Sequence, residues 1–229
     1  MAGLTDQASG NKITGGEAIE KAHQAWQESM LRQLDSLRKE IRLTQPGRRA
    51  ANCGAILVDQ YLQLDYWGQA VKITWPELKA TRLLDGLECS VYDEGMLLYY
   101  LRQADGTPLA DHWIGYRELP GGSFYSQAFQ GYSGDRLART FGENFEGYVQ
   151  ASKMLNGVSL PGLPGFAFAF LPLPRIRLAS ILYPGDEEFA ARASVLFDAA
   201  ASHYMTTDGL ALLGAGLAGR LIHAGHPGE

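Results

Sequence analysis

The residues best suited to chemistry in this chain are carboxylates placed at turns of its second half. Glu118 precedes Pro120-Gly121-Gly122, Asp186 and Glu187 sit in the acidic run Gly185-Asp186-Glu187-Glu188-Phe189, and Asp198 closes Val195-Leu196-Phe197. Hard divalent cations require several oxygens at one point, which clustered carboxylates supply. Asp186, Glu187 and Asp198 are therefore the candidate metal ligands. With Glu118 they form a candidate acid–base set, which would need carboxyl groups of raised or split pKa in one cleft. The same residues have a simpler, architectural reading, which is preferred. Asp186 would cap a one-turn helix, Glu187 and Glu188 would favour its positive end, and Phe189 would fill the core. Asp198 would cap a helix over 199–205.

A second constellation reads as a binding surface. Arg117 lies among Trp113, Tyr116 and Tyr125, and a guanidinium among aromatic rings suits an anionic or planar ligand. Gly121 and Gly122 would let backbone approach that ligand closely. The plainer alternative is an Arg117–Glu118 ion pair beside a tight turn.

Other chemistries find little support. Cys53 and Cys89 form no Cys-x-x-Cys pair and are too few for a self-contained zinc or iron–sulfur site, so both read as buried thiols. Asp198 and His203, five residues apart, do not share a helix face. His23, His112, His223 and His226 show no metal-ligand spacing. Ser123 lacks a nucleophile-elbow frame. Gly214-Ala215-Gly216-Leu217-Ala218-Gly219 spells the dinucleotide fingerprint, but it lies within a helical leucine pattern with no strand before it. Close helix packing explains those small residues, and no dinucleotide is expected.

The 229 residues carry a net charge of −5, which disfavours a nucleic-acid partner. The basic positions from Arg38-Lys39 to Arg48-Arg49 read as a solvated helix end. No apolar run reaches the ~18 residues of a membrane span, and the polar, Gly-rich start has no secretory core. A cytoplasmic protein is expected, with a small molecule or another protein as partner.

These side chains must be held by elements that the periodicity foretells. Residues 1–13 read as disordered, 14–223 as a single domain and 224–229 as a flexible tail. Thr14 and Glu17 form a capping box for a long helix whose stripe includes Trp26, Leu34, Leu37 and Ile41, ended by Pro46-Gly47. Ala55–Val58, Leu62–Tyr66 and Ala70–Ile73 suggest an antiparallel meander, followed by a helical turn at Pro76-Glu77. Ser90 caps a helix to Gln103, and Trp113 to Leu119 alternates as an edge strand. Glycine-broken helices follow to Gly157. A hairpin turns at Pro172-Leu173-Pro174, a strand covers Val195–Phe197, and a helix starts at Thr207 or Asp208. The order favours an α+β fold with a largely antiparallel sheet, meander plus C-terminal hairpin.

Several segments taken together resemble a family. They include Gly106-Thr107-Pro108-Leu109, Trp113 through Gly122, Leu173-Pro174-Arg175, Gly185 through Phe189 and Leu196-Phe197-Asp198. The chain resembles an uncharacterised family, a domain of unknown function found mainly in anaerobic bacteria and archaea. Some relatives carry a cysteine-rich iron–sulfur module like that of corrinoid iron–sulfur proteins, whose cysteines this chain lacks. The resemblance implies an accessory or binding role in anaerobic metabolism, linked to corrinoid or iron–sulfur systems, and supplies no catalytic residues.

Overall fold

A computed structural model describes residues 33–225. Helix α1 is seen over 33–42, with Leu34, Leu37 and Ile41 buried, so this part of the stripe faces the core. The expected capping box at Thr14 and Glu17, the expected disorder over 1–13 and residues 226–229 lie outside the described residues. Pro46 opens a separate helix, α2 (Pro46–Cys53), at the first position, where a fixed φ and a missing N–H cost nothing. Arg38 and Arg49 are buried, against the expectation of a solvated basic end. Arg38 pairs with Glu94, and Arg49 donates to the carbonyls of Leu101 (2.7 Å) and Arg102 (2.9 Å).

The expected meander is a four-stranded antiparallel sheet of β1 (Ile56–Val58), β2 (Tyr61–Tyr66), β3 (Gln69–Thr74) and β4 (Ala80–Arg82), in that order. Leu62, Leu64 and Tyr66 alternate inward along β2. β4 escapes a periodicity reading because three residues are too short to show one. The segment 75–77 is a turn, not a helical one.

The second sheet contains β5 (Trp113–Gly115), β6 (Val158–Ser159), β7 (Phe166–Leu173), β8 (Ile176–Tyr183) and β9 (Arg192–Asp198), ordered β5-β9-β8-β7-β6 and antiparallel throughout. The fold is α+β, as its element order indicates. The hairpin break is finer than expected. Pro172 stays within β7 at a register shift between Phe170 and Leu173, the kind of irregularity that tolerates proline. There its carbonyl accepts from the Trp67 amide at 2.9 Å, a link between the sheets.

The helices cover these strands. In α3 (Val91–Gln103), Ser90 accepts from the Asp93 amide at 3.1 Å, the expected cap. α4 (Ser126–Tyr132), α5 (Gly134–Phe141) and α6 (Phe145–Met154) follow, and α7 (Thr207–Gly225) closes the chain. α5 packs on β8 and β9, and α6 on α7 and β7. The buried Tyr100 hydroxyl donates to the Cys53 carbonyl (2.6 Å) and accepts from the Arg175 amide (3.0 Å). That one group joins α2, α3 and the β7–β8 turn. A single apolar cluster runs from Leu34 to Leu221 across both sheets.

Candidate functional site

The four carboxylates singled out from sequence are placed apart. Asp198 is fully buried. Its Oδ1 accepts from the amides of Ala110 and Ala200, each at 2.9 Å, and its Oδ2 from that of Asp111 at 3.0 Å. It therefore pins the coil before β5 to the end of β9 instead of capping an α-helix, since only a short 3₁₀ turn, Ala201–His203, follows. Asp186 accepts from the amides of Glu188 (2.9 Å) and Phe189 (2.7 Å) in an exposed loop. No helix forms there, Glu187 faces solvent, and Phe189 is exposed instead of filling the core. Glu118 accepts from the Gly115 amide at 2.7 Å, which turns Tyr116–Glu118 into a 3₁₀ segment and ends the expected strand at Gly115. Among the described residues no three of His, Cys, Asp and Glu gather where they could hold a metal.

The Trp113–Tyr125 segment divides in two. Tyr116 is buried and stacked on Phe129, with ring centroids 4.3 Å apart. The guanidinium over Trp113 belongs to Arg177, 5.0 Å from the ring centroid, and it also pairs with Asp111. Gly121 is left-handed (φ 72°), and a side chain on Gly122 would lie 1.9 Å from the Tyr116 carbonyl oxygen. The close backbone approach is thus to the protein's own chain. Arg117, Phe124 and Tyr125 face solvent, Phe124 at 87% and Tyr125 at 62% exposure.

A cleft of about 710 Å³ lies elsewhere, between the meander and the second half of the chain. Its walls come from the β2–β3 turn, the segment 87–90 with Asp93, the end of α6, the irregular part of β7 and the last turns of α7. Such a volume falls within the ~300–1,000 Å³ of small-ligand sites.

The β2–β3 turn sets the geometry of one wall. Tyr66 pairs with Gln69, leaving Trp67 and Gly68 as a two-residue loop, both with positive φ (52° and 75°). Asn-Gly or Asp-Gly is the usual solution for such a turn, because a side chain is strained there. A tryptophan held in it costs about 1–2 kcal/mol, and strain of this kind gathers at functional positions. The Trp67 indole carries the Arg220 guanidinium at 4.5 Å from its ring centroid. Gly216, one helical turn earlier on α7, lies under the ring, where an added Cβ would make an ordinary contact 3.7 Å from Trp67 Cζ2.

Beside this turn the lining is polar. Asp93 accepts from the Tyr66 hydroxyl at Oδ1 (2.9 Å) and the Ser90 hydroxyl at Oδ2 (2.7 Å). Burial, then the Asp93 carboxylate, push the Tyr66 phenol well above its ordinary range, so it stays protonated and donating. Burial and Asp93 likewise raise the Cys89 thiol, which lines the same wall. Since the thiolate is the nucleophile, Cys89 is a poor one at neutral pH. The cleft carries charged and hydroxyl groups, and its cysteine is not activated.

The sequence pattern of a family described as a domain of unknown function, DUF3786, matches residues 45–220. The chain belongs to the DUF3786 family. No curated protein and no solved structure gives a match. Within this DUF3786 domain, no helix of the described residues is long and apolar enough to cross a membrane. The matched span starts before α2 and ends on Arg220, so it takes in Trp67, Asp93 and both sheets.

Neither Trp67 nor Arg220 stands out in the sequence pattern as a candidate site residue. The legible signal was the tryptophan itself, at a turn position where Asn, Asp or Gly is expected.

Proposed function

We propose that this DUF3786 protein is a small-ligand-binding module of an accessory kind, with the cleft between the meander and α7 as its binding site. The observation that carries this reading is the strained Trp67 presenting an arginine-topped indole inside a cavity of ligand size. Binding sites combine apolar walls with a few placed polar groups, and Trp67, Val71 and Phe170 face Arg220, Ser90 and Asp93 here. The family resemblance suggests anaerobic metabolism, beside corrinoid or iron–sulfur proteins, as the setting.

Native mass spectrometry of protein purified without oxygen tests the reading. A small-molecule adduct on the wild type, absent from a variant with the cleft filled (Leu171→Trp with Met154→Trp), is expected. An adduct retained by the filled variant would move the site elsewhere.

A second reading keeps the Trp113–Tyr125 region as a contact surface for a partner protein. The exposed rings of Phe124 and Tyr125 beside Arg117 favour it. Cross-linking in lysate should then yield a defined partner for the wild type and none for Phe124→Ala/Tyr125→Ala.

A further inference from the structure

We infer that the cleft takes an organic monoanion, a carboxylate on an apolar body, with the carboxylate received by Arg220 on its Trp67 platform. This inference rests on reading the cleft as the ligand site. Charge accounting within the cleft singles out Arg220. Arg82, another cation of the lining, is paired with Asp85 at 2.6 Å. The Asp93 carboxylate keeps its charge but makes its hydrogen bonds to the hydroxyls of Tyr66 and Ser90, not to Arg220. Arg220 has no carboxylate within ion-pair distance and donates no hydrogen bond among the described residues. The Trp67 face, 4.5 Å away, seats the guanidinium, and its planar fork matches the two oxygens of a carboxylate.

The rest of the lining fits the body and the charge of such a ligand. Leu87, Met154 and Leu171 line the cleft while 57%, 64% and 52% exposed, an apolar surface of flexible side chains that a hydrocarbon or ring would cover. Asp65, Glu88 and Asp93 also line it, and their repulsion bears about twice as hard on a phosphate dianion as on a monoanion, which favours the monoanion.

The test uses the full chain and, as the reporter, alkylation of Cys89 by iodoacetamide in alkaline buffer, where the raised Cys89 thiol begins to ionise. Cys53 is fully buried, whereas Cys89 is partly exposed on the cleft wall, so labelling reads cleft occupancy. Three probes share one ring system: 2-naphthoate, 2-naphthyl phosphate and 2-naphthalenemethanol. The carboxylate is expected to half-protect Cys89 at a concentration about tenfold below that of the alcohol, the size of one charge-assisted hydrogen bond, and below that of the phosphate. In Arg220→Gln the advantage over the alcohol should vanish, and in Arg220→Lys part of it should remain. An unliganded labelling rate equal to the wild type's, with Cys53 unlabelled, certifies that each variant is folded. Equal protection by alcohol and carboxylate overturns the anion assignment and leaves the cleft reading standing. Tighter protection by the phosphate overturns the monoanion. No protection by any probe overturns the ligand class, while the adduct experiment decides the cleft separately.

Discussion

His203 and Asp105 meet across 98 residues of sequence, Nδ1 of the imidazole 2.7 Å from Oδ2 of the carboxylate. Thr107 Oγ1 lies 3.1 Å from the same nitrogen, and the Tyr204 hydroxyl donates to the Thr107 carbonyl. These contacts strap the coil after α3 to the 3₁₀ turn after β9. His203 is thus tied to Asp105 and not to Asp198, the partner weighed from sequence, because the coil after α3 returns to the end of β9.

The His203 hydrogen bond holds the Asp105 carboxyl down at about 2. An unfolded aspartate titrates near ~3.9, so the strap's contribution is complete above that value and is lost as pH falls through about 2. Both side chains are about half exposed, which keeps the contribution under ~1 kcal/mol. Urea midpoints of wild type and Asp105→Asn should differ slightly at pH 6 and converge between pH ~4 and ~2. A gap that persists undiminished at pH ~2 would contradict this.

The buried pair of Arg38 and Glu94 should be costly to break and cheap to replace. Each side chain is 9% exposed, and Arg38 Nε is buried without a partner. Arg38→Ala should lose about 3–5 kcal/mol, because it strands the buried Glu94 carboxylate, and Glu94→Ala should lose less, because Arg38 keeps Asp35 at 2.8 Å. The double change Arg38→Met/Glu94→Leu should lie within ~1–2 kcal/mol of wild type. Denaturant unfolding of all four proteins measures this. Additive losses in the double variant would refute it.

Asp198 binds three amides with two oxygens, and an asparagine keeps only one acceptor. Asp198→Asn should cost about 1–2 kcal/mol and Asp198→Ala about 2–4 kcal/mol by thermal unfolding. Faster amide exchange at Ala110 and Asp111 should accompany both. Loss of stability with unchanged exchange there would mean that the carboxylate does not anchor that coil.

Two glycines of α7 should respond with opposite signs to alanine. Alanine is intrinsically favoured over glycine in a helix by ~1 kcal/mol. Gly219 has nothing within 4 Å of an added Cβ, so Gly219→Ala should gain stability. At Gly214 the added atom would sit 2.7 Å from the buried Phe129 ring, and overpacking of ~1–3 kcal/mol outweighs the helix gain. Melting temperatures moving in the same direction would rule this out.

The contrast marks what was legible in sequence. Ser90 as a cap, the period-two runs of β2 and β3, the phenylalanines of β7 and the leucines of α7 are local patterns, and each fixes its element. Within the glycine pattern of α7, Gly214 seats the Phe129 ring, whereas Gly216 and Gly219 leave room for a Cβ. What stayed hidden depends on long-range placement. Arg220 and Trp67 stand 153 residues apart (220 minus 67), and neither position signals the other. Asp198 reads as a cap because it precedes helix-forming alanines; two of the three amides it binds come from 87 and 88 residues away. Glu118 and Asp186 invited chemistry by type, yet local amides had prior claim on both.

The amide of Trp67 has a further use. It is committed to the Pro172 carbonyl, across the seam between the two sheets, while its ring forms part of the cleft wall. Deuterium uptake at that one position would therefore register separation of the meander from the hairpin. A molecule seated against both sides would slow it without touching the N–H, so one exchange rate becomes a gauge of how firmly an occupant clamps the two halves together.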